Sequence, residues 1–246
     1  MPVGRRYRRE GVEFSRAVTF YDAIYAFAVT LLITTVDDFS PEAWSSPAAL
    51  WAANGSSLLA FTISFAVVVS FWRGSHEAVS GLAAMNGRVI GLSCIAMFGV
   101  VLLPFATEAL GKISGEPLPV AVYAVVIAGT SLLHHLMEDQ ADAAGLRRRR
   151  RSPAERGWFW AGAAVLPAVF LLSIPIAYLV APSAGMYFWA TLIVIGPLVG
   201  RWTTRRMDAA ARASGTADPG SADPDSPDRP DSPNSPDDSD GDPRTA

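Results

Sequence analysis

Three hydroxyl side chains and two carboxylates recur along one otherwise apolar stretch near the N-terminus. The stretch reads AIYAFAVTLLITTVDD, with hydroxyls at Thr30, Thr34 and Thr35 and acids at Asp37 and Asp38. Side chains with oxygen atoms are groups that can line an ion path, and rings of acids attract cations. The pattern therefore raises the question of whether one side of this segment faces something other than lipid.

The periodicity of this segment places five side chains on one face of a helix. With about 100° between successive residues, a stripe about 80° wide carries all five. A stripe that mixes apolar and hydroxyl groups and ends in an acid is not typical of a lipid-facing surface. It fits either packing between helices, where threonine and alanine allow close approach, or a water-accessible face; periodicity alone favours packing. The five residues are Ala23, Phe27, Thr30, Thr34 and Asp37.

The composition is typical of a protein that crosses a membrane several times. Half of the 246 residues are hydrophobic and only 17% are charged, which is unusual for a soluble domain. A helix needs about 20 apolar residues to cross the hydrocarbon core, and six segments qualify. We therefore predict an all-α, integral membrane six-helix bundle, with a kink in the fifth segment at its prolines, Pro167 and Pro175. The segments lie near residues 17–36, 55–72, 89–110, 119–137, 158–180 and 184–202.

Arginine placement predicts the orientation of the chain. Arginines cluster before the first segment, between the second and third, between the fourth and fifth, and after the sixth. Because cytoplasmic loops carry the excess of Lys and Arg, we expect both termini in the cytoplasm. The Ala- and Arg-rich, Lys-poor composition suggests a bacterial source, so we expect the protein in a bacterial plasma membrane. The run Arg147 to Arg151 then sets topology and contacts anionic lipids of the bilayer. Nucleic-acid binding is not expected of so short a loop at a membrane surface.

Charge is distributed unevenly along the chain. The total is −3, but the stretch from Asp208 to the end has ten Asp and three Arg, so the residues before it carry +4. We predict a basic cytoplasmic N-terminal tail (1–15), a six-span transmembrane domain (16–206) and a disordered acidic cytoplasmic tail (207–246). The last part is too polar to bury the surface that would offset the entropy of ordering.

Few residues have the spacing of a catalytic or metal site. Cys94 is the single cysteine, so no intramolecular disulfide can form, and no pair of Cys or His has structural zinc spacing. His134 and His135 are adjacent and point about 100° apart on a helix. His135 and Glu138 share a helix face, but they lie at the membrane boundary, which favours an interfacial role. We expect no enzyme activity, no metal and no cofactor.

Arg16 and Asp22 lie near the cytoplasmic end of the first segment. Ionisable groups in or beside a span are costly to bury and are usually paired or functional. Their separation does not make them helical neighbours, since pairs favour spacings of three or four. Each is therefore expected to have its partner on another helix. The simpler alternative is that Arg16 reaches lipid phosphate while Asp22 caps the helix entry.

Four short motifs resemble one known family. The stretch RAVTFYD (16–22) resembles the first-span signature R-x-x-x-F-S-D of the transmembrane protein 175 family, potassium channels of animal endolysosomes and of bacteria. Three further stretches resemble that family's second, third and fourth spans in the same order, so the likeness extends over about residues 10–205. They are SFWRGSH (70–76), LLPFAT (102–107) after Asn86, and AVYAV (121–125).

The resemblance implies a homotetramer in which four first spans line a central pore that passes potassium ions passively. The family's narrow part is a set of apolar rings with a nearby hydroxyl ring, and these positions correspond to Phe27 and Thr30. The family residue at Phe27 is usually aliphatic, so four phenylalanines predict a more water-repelling constriction and low basal conductance. The implied pore-lining residues are Ala23, Phe27, Thr30 and Thr34, with Asp37 at the outer mouth.

The same resemblance implies a structural, non-catalytic network at the cytoplasmic side. An Arg–Asp arrangement can hold the first span at a fixed angle, while a tryptophan N–H and a histidine satisfy the remaining acceptors. The family's middle serine is Tyr21 here, so we expect local packing to differ. The implied members are Arg16, Phe20, Asp22, Trp72 and His76.

Three other functions stay open. A cation- or proton-coupled carrier would need acids or broken helices near the midplane, often repeated in two halves; here the midplanes lack acids and the prolines lie in late spans. A membrane enzyme would need a site that the spacing does not suggest, and a non-conducting membrane scaffold needs none. Potassium flux down a gradient separates these functions, because it is fast in channels, slow in carriers and absent in the others.

Overall fold

The computed structural model describes residues 6–36, 40–113 and 115–213. Eight α-helices and two short strands make up this part of the chain, and a 3₁₀ turn (Ile33–Thr35) extends the first helix. In chain order the elements are β1 (Arg6–Arg8), α1 (Val12–Leu32), α2 (Pro47–Ser80), β2 (Ala84–Asn86), α3 (Gly87–Lys112), α4 (Pro117–Ala143), α5 (Pro153–Ala163), α6 (Val165–Leu179), α7 (Pro182–Phe188) and α8 (Thr191–Ala213).

Five helical segments are long and apolar enough to cross a membrane, and they coincide with the first five predicted segments. They are α1 with its 3₁₀ turn, α2, α3, α4, and α5 together with α6. The all-α membrane fold is therefore confirmed. The fifth segment is interrupted at Ala164, close to the predicted kink. Pro167 lacks the N–H that would donate to the carbonyl of Ala163, which weakens the helix at this point.

The sixth predicted segment, 184–202, is not one helix. It is divided between α7 and α8, and α8 continues to Ala213 through Arg201, Arg205 and Arg206. Because of these charges, α8 is not among the helical segments that are apolar enough to cross a membrane. Gly185 of α7 nevertheless lies beside Ala177 of α6, and Thr203 of α8 beside Gly162 of α5. The two helices thus run back along α6 and α5, and a sixth crossing stays a prediction.

The core is built around α3 and α4, with contributions from α1, α2 and α6. Leu103, Leu110, Tyr123 and Ile127 are fully buried there. Small residues let the two helices approach closely: a side chain at Gly99 would overlap the Thr130 hydroxyl.

A buried hydroxyl cluster ties three helices together. Ser64 Oγ of α2 lies 2.8 Å from the hydroxyl of Tyr123 on α4 and 2.7 Å from Thr107 Oγ1 on α3. These bonds satisfy polar groups that have no access to water.

Both short strands and the α4–α5 loop lie at one end of the bundle. β1 pairs antiparallel with β2, and the backbone of Leu82 forms a bridge with that of Arg147. Arg9 donates to the carbonyl of Ser80 at 2.8 Å and so caps the end of α2. Within the predicted N-terminal tail, the described residues are therefore folded. Of the predicted acidic tail, residues 207–213 belong to α8 and the remainder lies outside the described residues.

Candidate functional site

α1 has one face in the core and one face outside it. Tyr21, Tyr25, Ala28 and Leu32 are buried at spacings of three and four, the periodicity of an amphipathic helix. This face packs mainly against α2 and α3. The core side of α1 is thus the side opposite the stripe described above.

The opposite face of α1 carries the residues predicted to line a pore. Ala23, Phe27, Thr30 and Thr34 all lie exposed in the single chain, and 70% of Phe27 is accessible. Because the four residues share one face, a partner or a water-filled space beside α1 would meet all of them. Asp37, the predicted outer-mouth acid, lies outside the described residues.

The two threonines on this face use their protons within the helix. Thr30 Oγ1 donates to the carbonyl of Phe27 at 2.9 Å, and Thr34 Oγ1 donates to that of Leu31 at 2.7 Å. A hydroxyl that donates its proton keeps two acceptor lone pairs. Both oxygens can therefore accept from water or contact a cation.

Three members of the predicted cytoplasmic network lie together. The indole N–H of Trp72 on α2 donates to Asp22 Oδ1 at 3.1 Å, and the rings of Trp72 and His76 lie 5.9 Å apart. Phe20 is exposed, with its ring 6.4 Å from that of Tyr21. Arg16 is also exposed, and it makes no ion pair with any described residue. Asp22 therefore has its partner on another helix, and that partner is not an arginine.

Tyr21 points into the core, away from this network. It is 3% exposed, and its hydroxyl has no hydrogen-bond partner in the described part of the chain. A serine in this place would leave the space of the ring empty. The ring of Tyr21 therefore fills core space that the serine of the family signature would not fill.

A second contact of α1 was not among the predictions. The hydroxyl of Tyr25 lies 2.6 Å from His134 Nε2 on α4, although the two residues are 109 positions apart. In the sequence, His134 stands out only for its proximity to His135 and Glu138, as a candidate metal-binding or catalytic group. The available signal was the presence of a tyrosine and a histidine in two apolar segments, since buried polar groups need partners.

The arginines of the α4–α5 loop are largely paired within the protein. Glu138 accepts from Arg151 at 2.7 Å and from Arg147 at 3.3 Å. Asp139 receives two hydrogen bonds from Arg156, at 2.5 and 2.6 Å, and Glu155 pairs with Arg149. Burial lowers the pKa of the Arg147 guanidinium, and the nearby positive charge of Arg151 lowers it further. These pairs tie the loop to the ends of α4 and α5.

In the described ranges, no group of three His, Cys, Asp or Glu side chains is placed to hold a metal ion.

A sequence model of the family described as "Endosomal/lysosomal potassium channel TMEM175" matches residues 16–104. The resemblance to TMEM175 is confirmed. The matched region contains α1, α2 and most of α3, and thus both the exposed face of α1 and the Asp22–Trp72 contact.

Two relatives of this chain carry the name of a potassium channel. A protein of Streptomyces collinus named as a potassium channel is 28% identical over 156 residues, which is 56% of this chain and 74% of that protein. One of a Chryseobacterium species, also named as a potassium channel, is 23% identical over 124 residues, 50% of this chain and 62% of that protein. These relatives are named as channels and not as enzymes.

The crystal structure of a TMEM175 homologue from Chamaesiphon minutus, a lysosomal potassium-selective channel homologue, shares the fold. It superposes with a TM-score of 0.59 at 18% identity and covers 78% of this chain and 98% of that one. The likeness in fold therefore extends well beyond the region matched by the TMEM175 sequence model.

Proposed function

We propose that the protein is a potassium-permeable cation channel of the bacterial plasma membrane. Four copies assemble around a central axis that the exposed face of α1 lines, and potassium ions cross passively. The observation that carries the proposal is this face, where Ala23, Phe27, Thr30 and Thr34 lie together and exposed on a helix whose other side is buried. The potassium-channel names of the relatives support the choice of ion.

The residues of this face have separate roles in the proposed pore. Four Phe27 rings form an apolar constriction, which excludes water unless it widens. Four Thr30 oxygens stand one turn away, and their free lone pairs replace part of the hydration shell of a passing cation. Thr34 continues the hydroxyl lining, and Asp37 concentrates cations at the outer mouth.

The cytoplasmic contacts hold α1 in place in this proposal. The Trp72 N–H fixes Asp22 to α2, with His76 packed beside the indole. Arg16 and Phe20 are exposed on the single subunit, which leaves them free to complete the network against a neighbouring copy.

Both termini lie in the cytoplasm in this proposal. The N-terminal β1, the α2–α3 loop and the arginine-rich α4–α5 loop share one end of the bundle, and the predicted sixth crossing returns the C-terminus to that end. The side chains of Arg148 and Arg150 make no ion pair with described residues. They, and not the paired arginines of the same run, contact anionic lipid headgroups.

Potassium flux into liposomes tests the channel proposal. Replacing Phe27 by alanine removes the constriction, so the flux is expected to rise about tenfold or more, because the barrier of an apolar constriction falls steeply with its radius. The matched control is Phe98→Ala, since Phe98 is a similarly exposed phenylalanine on α3, with 63% of its surface accessible. Equal flux from the two variants would contradict the proposal. A slow, saturating wild-type flux would indicate a carrier, and its absence in all three proteins a scaffold.

A further inference from the structure

The contact between α1 and α4 has no part in the proposal above. We propose that Tyr25 and His134 are positioning residues: their buried hydrogen bond fixes the rotation of α1 about its axis and so holds the Phe27 constriction narrow. The inference rests on the proposed function, because it assigns these residues a role in the same pore.

The hydrogen bond is short and shielded from solvent. The Tyr25 hydroxyl and His134 Nε2 lie 2.6 Å apart, and the two residues are 2% and 9% exposed. In a membrane, neither group can find water as an alternative partner if the bond breaks. The bond therefore favours one orientation of α1 over its neighbours.

The donor and acceptor are set by a second hydrogen bond of the histidine. His134 Nδ1 lies 2.8 Å from the carbonyl oxygen of Thr130. A carbonyl can only accept, so Nδ1 carries the proton and Nε2 of the neutral ring is left as an acceptor. Tyr25 is then the donor, and replacing its hydroxyl leaves Nε2 with no proton to accept.

The histidine ring is itself held by a third helix. Phe71 of α2 stacks on His134 with 5.4 Å between ring centroids and 18° between ring planes. Phe71 is buried as well. Because α2 and α4 both fix the ring, His134 offers Tyr25 an acceptor at one place only.

The position of Tyr25 on α1 connects this bond to the constriction. Tyr25 precedes Phe27 by two residues, which places the two side chains about 160° apart around the helix axis. A rotation of α1 that moves Phe27 away from the pore axis therefore also carries Tyr25 away from His134. Without the bond, α1 samples a wider range of rotations. The rotations that give the widest constriction dominate the average flux, since the barrier to ion passage at an apolar constriction falls steeply with its radius.

Tyr25→Phe tests the inference, because it removes one oxygen and keeps the ring. We expect the potassium flux into liposomes to rise about fivefold, the population change that corresponds to about 1 kcal/mol, a typical net contribution of one hydrogen bond. His134→Leu is expected to give a similar rise, and the double variant no further rise. His134→Gln should stay near wild type, because its side-chain oxygen can accept from Tyr25.

Tyr123→Phe is the matched control. Tyr123 is a fully buried tyrosine that bonds Ser64 at 2.8 Å, but this bond joins α4 to α2 and leaves α1 untouched. A purely structural loss would affect both variants alike. Equal flux from Tyr25→Phe and Tyr123→Phe would overturn the inference.

A second measurement separates this inference from the channel proposal. In a Cys94→Ser background, the thiol introduced by Ala23→Cys reports the orientation of α1 through its rate of reaction with a charged thiol reagent. Tyr25→Phe should change this rate at least about threefold, again from the loss of one hydrogen bond, and Tyr123→Phe should not. An unchanged rate refutes the positioning role. If neither wild type nor Phe27→Ala passes potassium, the channel proposal fails, while the labelling rate still decides the positioning role.

Discussion

The indole N–H of Trp72 donates to the carboxylate of Asp22 at 3.1 Å and joins α2 to α1. Hydrogen bonds to a charged group are stronger than neutral ones, although solvent exposure reduces the gain. We expect Trp72→Phe and Asp22→Ala each to lower the stability of the detergent-solubilised protein, with a coupling of about 1 kcal/mol between them.

The measurement for this pair is a double-mutant cycle by thermal unfolding. Asp22→Asn serves as the conservative variant, because its amide oxygen still accepts from the indole. If the stability losses of the two single variants add up to the loss of the double variant, the contact contributes nothing to stability.

The crossing of α3 and α4 depends on the absence of a side chain at Gly99. A methyl group there would overlap the Thr130 hydroxyl, so we expect Gly99→Ala to cost about 1–3 kcal/mol through overpacking. Gly91 is the control on the same helix, since a methyl group at Gly91 meets no described atom within 4 Å. Gly91→Ala should be neutral or stabilising by up to about 1 kcal/mol. Chemical denaturation in detergent measures the free energy of unfolding of the two variants. Equal losses of stability would refute the close approach of α3 and α4 at Gly99.

At Tyr21, we expect the residue of the family signature to make this protein less stable. Its hydroxyl is buried without a partner among the described residues, so Tyr21→Phe should be neutral or stabilising by about 1 kcal/mol. Tyr21→Ser, which installs the family residue, removes a buried ring and should cost about 3 kcal/mol because of the cavity it leaves. Thermal unfolding measures the stability of both variants. A loss of stability in Tyr21→Phe would mean that the hydroxyl has a hydrogen-bond partner.

The paired arginines of the α4–α5 loop should resist trypsin, which cleaves after arginine. Glu138 holds both Arg147 and Arg151, and Glu138→Gln weakens both contacts. We expect cleavage in this loop to become about fivefold faster, which corresponds to about 1 kcal/mol after allowance for partial exposure.

The proteolysis is carried out on inside-out and right-side-out vesicles. Cleavage in the inside-out vesicles alone would agree with the proposed cytoplasmic location of the loop. Glu108→Gln is the control, because Glu108 pairs with Lys112 at the far end of α3. Equal rates of cleavage in the α4–α5 loop of Glu138→Gln and Glu108→Gln would show that Glu138 does not protect the loop.

Apolar length and periodicity carried most of the information that could be read from the sequence. They located five spans, and they placed Phe27 and Thr30 on one face of α1, because both signals are local along the chain. The contact between Tyr25 and His134 could not be predicted in this way, since it depends on how α1 and α4 are arranged. The pairing of Arg151 with Glu138 is equally hidden, because a run of arginines looks the same whether it is solvated or paired.

The divided sixth segment and the N-terminal strand illustrate a second limit. A count of apolar residues does not show where a helix turns, and the turn before Thr191 lies inside a uniformly apolar stretch. β1 consists of Arg6, Tyr7 and Arg8, which have no apolar periodicity of their own. Its conformation comes from its partner strand.

The pairing of β1 with β2 also orders events during biosynthesis. The partner of Tyr7 is Met85, which leaves the ribosome only after the whole of α2. Arg6, Tyr7 and Arg8 therefore have no partner strand until α1 and α2 have been synthesised, and the small sheet can close only once the residues directly before α3 have left the ribosome.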